Sequence, residues 1–328
     1  MKPSADIVVI INPASAAGKT AREIPRILAA IRDELPGRHQ FLLTHRPGHA
    51  IDLAAEAAEA SVPLIVAVGG DGTINEVVNG ILSACDGRSP VTTLAVVSSG
   101  SGQGLALSLG FPTGVSEQIR MIASGEGRVI DIGLLAGLSD GRETRRYFVN
   151  ECQFGIGAEV VRRNGRRLKI AGGLLGYGAA TLASIFTAPN VPVRVAIEDE
   201  PPLDVTLLGI SIGNGHLTGG GMSLTPDALF DDGLLNVLLM YGQSVPQRLE
   251  SFPKIYSGAH IHSPCFDYRT AHRIAIRSTE GVLAAADGEF LGKDSWSVDV
   301  IPAAIRIIGP PSQLRKTNHQ RAELPLEA

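Results

Sequence analysis

Cysteine is scarce in this chain: three in 328 residues, Cys85, Cys152 and Cys265, odd in number and far apart. That spacing suggests neither a disulfide framework nor a paired-cysteine metal site, and a reducing cytoplasm is the simplest home. Aromatic residues are few, 5% with one Trp, and 29 Lys and Arg against 33 Asp and Glu leave a net charge of only −4. A charge so nearly balanced gives no general argument for a nucleic-acid partner. Long apolar runs are missing too. Ile7–Ile11 is too short for the apolar region of a secretory signal and reads as a strand. The longest uncharged stretch, 170–190, holds Gly172, Gly173, Gly176 and Gly178 and ends on Ala188-Pro189. A buried or surface-lying helix is expected there rather than a membrane span.

Glycine, by contrast, is plentiful: 38 residues, in a chain 44% hydrophobic and 19% charged. This is the composition of a loop-rich α/β or α+β protein, long enough for two cores. Over residues 1–130 strand patterns (7–11, 41–43, 64–68, 93–97) alternate with helical periods (21–35, 50–60, 73–82, 104–109, 115–124). Such alternation predicts a doubly wound, Rossmann-like parallel sheet with ligands at the carboxyl ends of its strands. Residues 131–302 are expected to form a second domain, and from Tyr147 onward the apolar residues alternate with period two, as in Val191, Val193, Val195 and Ile197. An antiparallel β-sandwich, interrupted by one helix near 170–186, is expected. Residues 317–328 are polar and aperiodic, a frayed tail.

The most informative stretch is Gly69-Gly-Asp-Gly-Thr73, between the apolar run 64–68 and a helical face made by Ile74, Val77, Val78, Ile81 and Leu82. Three glycines around one carboxylate allow positive φ and let backbone N–H groups converge at a helix start. Phosphate is the natural guest, and an intervening Mg²⁺ removes the conflict between Asp71 and an anionic ligand. Thr73 and Glu76 match a capping box, which places the helix start at Thr73.

This loop resembles the signature of the diacylglycerol kinase catalytic family, whose superfamily includes sphingosine and bacterial lipid kinases and, more distantly, NAD kinases. The resemblance runs from Ile11-Asn-Pro13 to Asp287-Gly-Glu289. It implies an ATP-dependent lipid kinase, with 131–302 as its lipid-substrate domain and the nucleotide contacted by Asn12, Thr44, Gly69, Gly70, Asp71, Gly72, Thr73, Asn75, Glu76 and Ser101. It further implies that Asp71 and Asp131 belong to a catalytic, Mg²⁺-linked network and that Glu289 is the general base. Asp232, with the carbonyls of Leu229 and Leu234, would hold a structural Mg²⁺ or Ca²⁺. Ile305–Ile308, within a returning segment 303–316, is expected to rejoin the first domain.

The chain departs from the family at Ala16, Ser101, Gln103 and Gly104, where a Gly, Thr, Asn and Asp are usual. Its Gly-Ser-Gly-x-x-Leu-Ala form looks closer to the sphingosine kinase branch. The acceptor stays open among diacylglycerol, phosphatidylglycerol and sphingoid-like lipids. An NAD kinase-type enzyme and a sensor that has lost catalysis are the alternatives.

Other patterns carry less. Asn12 to Thr20 nearly spells a phosphate-binding P-loop, but Pro13 occupies the first glycine position and has no N–H. Gly209-Ile-Ser-Ile-Gly213 fits a hydrolase elbow, yet a loop follows it, so Ser211 belongs in a strand. His260, His262 and Cys265 lack a fourth metal ligand nearby. Arg162, Arg163, Arg166, Arg167 and Lys169 form either a solvated basic face or a patch for anionic headgroups in a transient, peripheral membrane contact.

Overall fold

The computed structural model describes residues 5–85, 90–99, 104–139, 141–167 and 173–310. Ser101, Gln103, Lys169, the side chains of Arg166 and Arg167 and the expected tail lie outside the described residues.

Four parallel strands open the chain: β1 (Ile7–Ile11), β2 (His39–Leu43), β3 (Leu64–Gly69) and β4 (Thr93–Ser98), in the spatial order β4-β3-β1-β2. Helices α1 (Lys19–Glu34), α2 (His49–Glu59), α3 (Asp71–Ala84), α4 (Gly104–Ser108) and α5 (Val115–Ser124) connect and cover them. Strand period sorts the side chains. Val8 and Ile10 join one core cluster with Ala54, Ile74 and Ile81, while Ile7, Val9 and Ile11 join another with Ile27, Ile31 and Ile119. Both faces are buried, which is why β1 reads as an unbroken apolar run. At Gly80 a Cβ would stand 2.3 Å from the Ile51 carbonyl oxygen, so α2 and α3 pack as closely as they do only over a glycine.

The second half is antiparallel: β5 (Gly127–Ser139), β6 (Arg142–Phe148), β7 (Glu151–Gly155), β8 (Val191–Ile197), β9 (Leu203–Gly213), β10 (Leu235–Tyr241), β11 (Phe266–Ala271), β12 (Arg273–Arg277), β13 (Val282–Ala286), β14 (Glu289–Asp294) and β15 (Trp296–Ile308). They enclose a core that includes Phe148, Phe154, Ile212, Val237, Ile274 and Trp296. Helices α6 (Ile156–Arg167), α7 (Gly173–Thr187) and α8 (Val245–Ser257) lie outside that core. Among the described residues no helix is long and apolar enough to cross a membrane.

Two 13-residue strands tie the halves together. β5 and β15 pair antiparallel throughout, with a register break between Ile301 and Ile305. At that break Ala303 takes φ 50°, and beyond it Arg306 and Ile307 pair in parallel with Thr93 and Leu94 of β4. The parallel sheet and the β-sandwich are thus hydrogen-bonded into one continuous ladder.

Candidate active site

The loop after β3 is tighter than its sequence suggests. Gly70 is extended (φ −89°, ψ −178°) and α3 begins at Asp71, two residues before the expected start. The capping box is not formed. Thr73 Oγ1 accepts instead from Asn12 Nδ2 at 2.9 Å, tying β1 to α3. The Glu76 carboxylate turns to the start of α2, accepting from the Gly48 and Ala50 amides at 2.9 and 3.2 Å. An anion at a helix N-terminus is well placed there, and Glu76 stabilises α2 rather than capping its own helix.

None of Gly69, Gly70 and Gly72 adopts positive φ. Gly69 is required for a different reason: a Cβ there would lie 2.5 Å from Thr73 Oγ1. The first turn of α3 faces a cleft of about 680 Å³, lined also by Asn12, Ser15, Thr44 and His45. From Ser15 in its wall, a chain of hydroxyls runs inward through Thr20 to Ser99, with spacings of 2.6 and 2.8 Å. Ala16, at the family's glycine position, has φ 53°, the conformation a glycine would adopt without strain.

Asp71 lines this cleft on one side and a second cavity, of about 100 Å³, on the other. Its Oδ2 accepts from the Gly104 amide at 3.1 Å, while Oδ1 is sealed from solvent with no partner among the described residues. Two further carboxylates line the second cavity, Glu151 and Asp287. Asp287 opens the two-residue turn between β13 and β14, where φ is 43° at Asp287 and 78° at Gly288, the geometry that an Asp-Gly pair favours. Its oxygens collect the amides of Val149, Asn150 and Glu151 at 2.7 to 3.0 Å and Asn75 Nδ2 at 2.7 Å. One half-buried carboxylate therefore joins α3, the β6–β7 link and the β13–β14 hairpin.

Three carboxylates gather around this cavity. Among the described residues no Lys or Arg pairs with Asp71, Glu151 or Asp287. Burial, reinforced by Asp287, pushes the Asp71 carboxyl up to about 6. Burial pushes Glu151 up to about 7, against hydrogen bonds from Thr218 and Gln153 and with the fields of Asp287 and Asp71 adding to it. Asp287 is raised as well, chiefly by burial. Among the described residues no group of three His, Cys, Asp or Glu side chains is placed to share one metal ion.

Several expected site residues sit elsewhere. Asn75 is buried and donates to Asp287 and the Tyr147 carbonyl, so its amide bridges the two halves instead of facing the nucleotide cleft. Asp131 is buried at the break in β15. Its Oδ1 accepts from Ala303 N and its Oδ2 from Gly233 N, both at 2.7 Å, so both oxygens are engaged by backbone amides rather than directed at Asp71. Gly233 belongs to the turn that carries Leu229, Asp232 and Leu234. The carbonyls of Leu229 and Leu234 accept none of the hydrogen bonds seen among the described residues, and Asp232 lies within the field of Asp131. That all-oxygen set suits a hard cation.

Glu289 starts β14 directly after Gly288, the last residue of the hairpin turn that lines the second cavity, and is more than half exposed and ion-paired with Arg146. Arg162 and Arg163 both clasp Glu159, which neutralises part of the expected basic face. Ser211 is fully buried within β9, and His260 Nε2 lies 3.1 Å from the Leu224 carbonyl oxygen.

A third cavity, of about 80 Å³, lies between β9, β10 and helices α6 to α8. Ile156, Leu208, Met240, Phe252 and Phe266 line it, and its walls are almost wholly apolar. Gln153 borders both this chamber and the acidic cavity. Nucleotide-sized cleft, acidic cavity and apolar chamber thus follow in series, separated by Asp71 and Gln153.

The diacylglycerol kinase catalytic domain matches residues 6–135, and the YegS C-terminal NAD kinase beta sandwich-like domain matches 150–309. The chain belongs to the diacylglycerol kinase family. Probable lipid kinase YegS of Escherichia fergusonii is 30% identical over 93% of this chain and 96% of its own length. A counterpart of the same name from Salmonella typhimurium has the same identity and coverage. Among solved structures, a diacylglycerol kinase from Bacillus anthracis superposes with a TM-score of 0.67 at 19% identity, covering 94% of this chain and 99% of that one. Yeast NADH kinase gives 0.52 at 13% identity, over 98% and 90%. Those two likenesses concern the fold, a parallel-sheet domain followed by a β-sandwich. Family membership makes the protein an ATP-dependent kinase.

The sequence does not mark Asp287 or Glu151 as site residues. The Asp-Gly turn marks Asp287 only as a hairpin residue. A glutamate among Phe148, Val149, Cys152 and Phe154 in a strand-like segment is the one signal that could expose Glu151, because an unpaired carboxylate is costly when buried.

Proposed function

We propose that this enzyme transfers the γ-phosphoryl group of ATP to a hydroxyl of a membrane lipid. The observation that carries the reading is the shared wall at Asp71, with a cleft for a nucleotide before it and a polar cavity leading to an apolar chamber behind it. A nucleotide acceptor has no need of that chamber, which favours a lipid over NAD.

Asn12, Thr44, Gly69 to Thr73 and, by the family's pattern, Ser101 would contact the nucleotide. The first-turn amides of α3 would meet its phosphates. Asp71 would hold the Mg²⁺ that accompanies ATP, and that ion supplies charge neutralisation at the transferred phosphoryl group. Glu289 would accept the proton of the lipid hydroxyl as its oxygen bonds to phosphorus and the bond to the β-phosphate oxygen breaks, releasing ADP. Arg146 is ion-paired with the Glu289 carboxylate and would have to yield when the acceptor binds. Asp131 would act one step back, anchoring the turn in which Leu229, Asp232 and Leu234 would bind a structural Mg²⁺ or Ca²⁺.

Substrate entry would come from a membrane surface. Leu182 and Phe186 of α7 are 54% and 53% exposed, on the helix whose Thr181 and Ile185 line the apolar chamber. A transient peripheral contact fits such a rim.

The test is transfer of labelled γ-phosphate from ATP and Mg²⁺ to a mixed lipid extract. Glu289→Gln should lower kcat by about 10²–10⁴-fold with nucleotide affinity unchanged. Label appearing in added NAD and in no lipid would overturn the reading in favour of a nucleotide kinase.

A further inference from the structure

The acidic cavity holds a glutamate that the reaction as described does not use. Glu151 opens β7, whose other residues Cys152 and Phe154 lie in the sandwich core. It is only 9% exposed. Its Oε2 accepts from Thr218 Oγ1 at 2.6 Å and Gln153 Nε2 at 2.8 Å. Oε1 accepts nothing among the described residues, and the side chain lines the cavity. An apolar residue would serve packing better at this position, since a buried carboxylate facing no cation is a standing cost. One neutral donor pair does not remove it.

We infer that Glu151 selects the head group of the acceptor: it receives a second hydrogen-bond donor, a hydroxyl or an ammonium, on the carbon beside the hydroxyl that is phosphorylated. The inference rests on the lipid kinase reading and deepens it. A lipid with the head-proximal methylenes of its tail in the apolar chamber and its hydroxyl at Asp71 must pass its head between Gln153 and Asp71, where Glu151 stands. A donor on the neighbouring carbon would pair with Oε1. An ester at that carbon would set acceptor against acceptor and leave the carboxylate oxygen buried and unpaired. Sites built on hydrogen bonds discriminate strongly for this reason. With three carboxylates lining the cavity and none of them paired to a Lys or Arg among the described residues, an ammonium would add charge compensation to the hydrogen bond.

Three acceptors in mixed micelles separate the possibilities: dioleoylglycerol with an ester at that carbon, phosphatidylglycerol with a hydroxyl, and sphinganine with an ammonium. The full-length enzyme should favour phosphatidylglycerol or sphinganine over dioleoylglycerol by at least about tenfold in kcat/KM, and Glu151→Leu should bring that ratio close to one. Glu151→Gln, which keeps an acceptor oxygen without charge, should spare a hydroxyl preference and abolish an ammonium preference. It also carries the test if the leucine variant fails to fold. A ratio unmoved by either variant, or a wild type that prefers dioleoylglycerol, overturns the inference.

Thermal stabilisation by each lipid without ATP separates the two claims. Stabilisation by a donor-bearing lipid that Glu151→Leu or Glu151→Gln removes, with no lipid phosphorylated, would retain the recognition role and sink the kinase reading. Equal stabilisation by all three lipids, or by none, with no lipid phosphorylated would sink both.

Discussion

The two sides of Asp71 are built in opposite ways. Before it, the nucleotide cleft is lined by short continuous runs of chain: Gly70 to Thr73 at the start of α3, and the segments 12–16 and 44–47 that follow β1 and β2. Behind it, the acidic cavity is assembled from side chains far apart in the chain, with Asp71, Glu151 and Asp287 brought together by three different segments. A backbone site binds through N–H groups that any sequence of the right conformation supplies. A side-chain site concentrates charge and shifts its own titration. The first is suited to a constant phosphate donor, the second to telling one acceptor from another.

Removing Asp71 should break both sides at once. Asp71→Ala is expected to abolish metal-dependent nucleotide binding and to reduce turnover by at least about 10³-fold, as loss of a principal electrostatic contact to the transferred group does. The fold should survive. Burial and Asp287 hold the Asp71 carboxyl at about 6, so its ionised form opposes folding rather than supporting it. Calorimetry with ATP and Mg²⁺ beside a thermal melt separates the two effects. A variant that still binds the nucleotide with wild-type affinity would confine Asp71 to the acceptor side.

The side-chain cavity should also announce itself through pH. Glu151 moves from 4.5 in the unfolded chain to about 7 in the fold. A carboxyl raised in this way binds more protons when folded, so its support for folding is complete below 4.5 and lost as pH climbs through about 7. Glu151→Gln mimics the protonated form at every pH. Relative to wild type it should match stability near pH 4.5 and gain about 2–3 kcal/mol by pH 8. Urea unfolding at both pH values measures the difference. Equal gains at both would mean that Glu151 titrates in the fold as it does in the open chain.

The same contrast explains what could be read from sequence. Strand and helix periods exposed β1, β3, β4 and most of α1 to α3 because each element buries a periodic face. The loop at Asp71 was legible because its function is contiguous. Capping was misjudged: Thr73 and Glu76 carry the right letters, but Asn12 and the start of α2 compete for them more successfully across the fold. The resemblance assigns Asn75 to the nucleotide and Asp131 to the metal-linked network, whereas the engagement of their amide and carboxylate groups with Asp287, Ala303 and Gly233 is visible only in the tertiary structure. Glu151 and Asp287 meet across 136 residues, a separation no local pattern encodes.

The smallest expected effect lies in the first loop of the nucleotide side, where the backbone itself is strained. Ala16 and Ala17 both sit at φ 53°, followed by Gly18 at 83°. The left-handed conformation costs a non-glycine residue about 1–2 kcal/mol, and a glycine regains part of that while losing about 0.5–1 kcal/mol in unfolded-state entropy. Ala16→Gly should therefore stabilise the protein by up to about 1 kcal/mol. Ser15 continues to reach Thr20 through its own side chain, so nucleotide affinity should hold or rise slightly. A denaturant midpoint that fell, with the slope unchanged, would show that the loop does not keep this conformation in solution. The local, backbone-built character of the nucleotide side would then have to be argued from α3 alone.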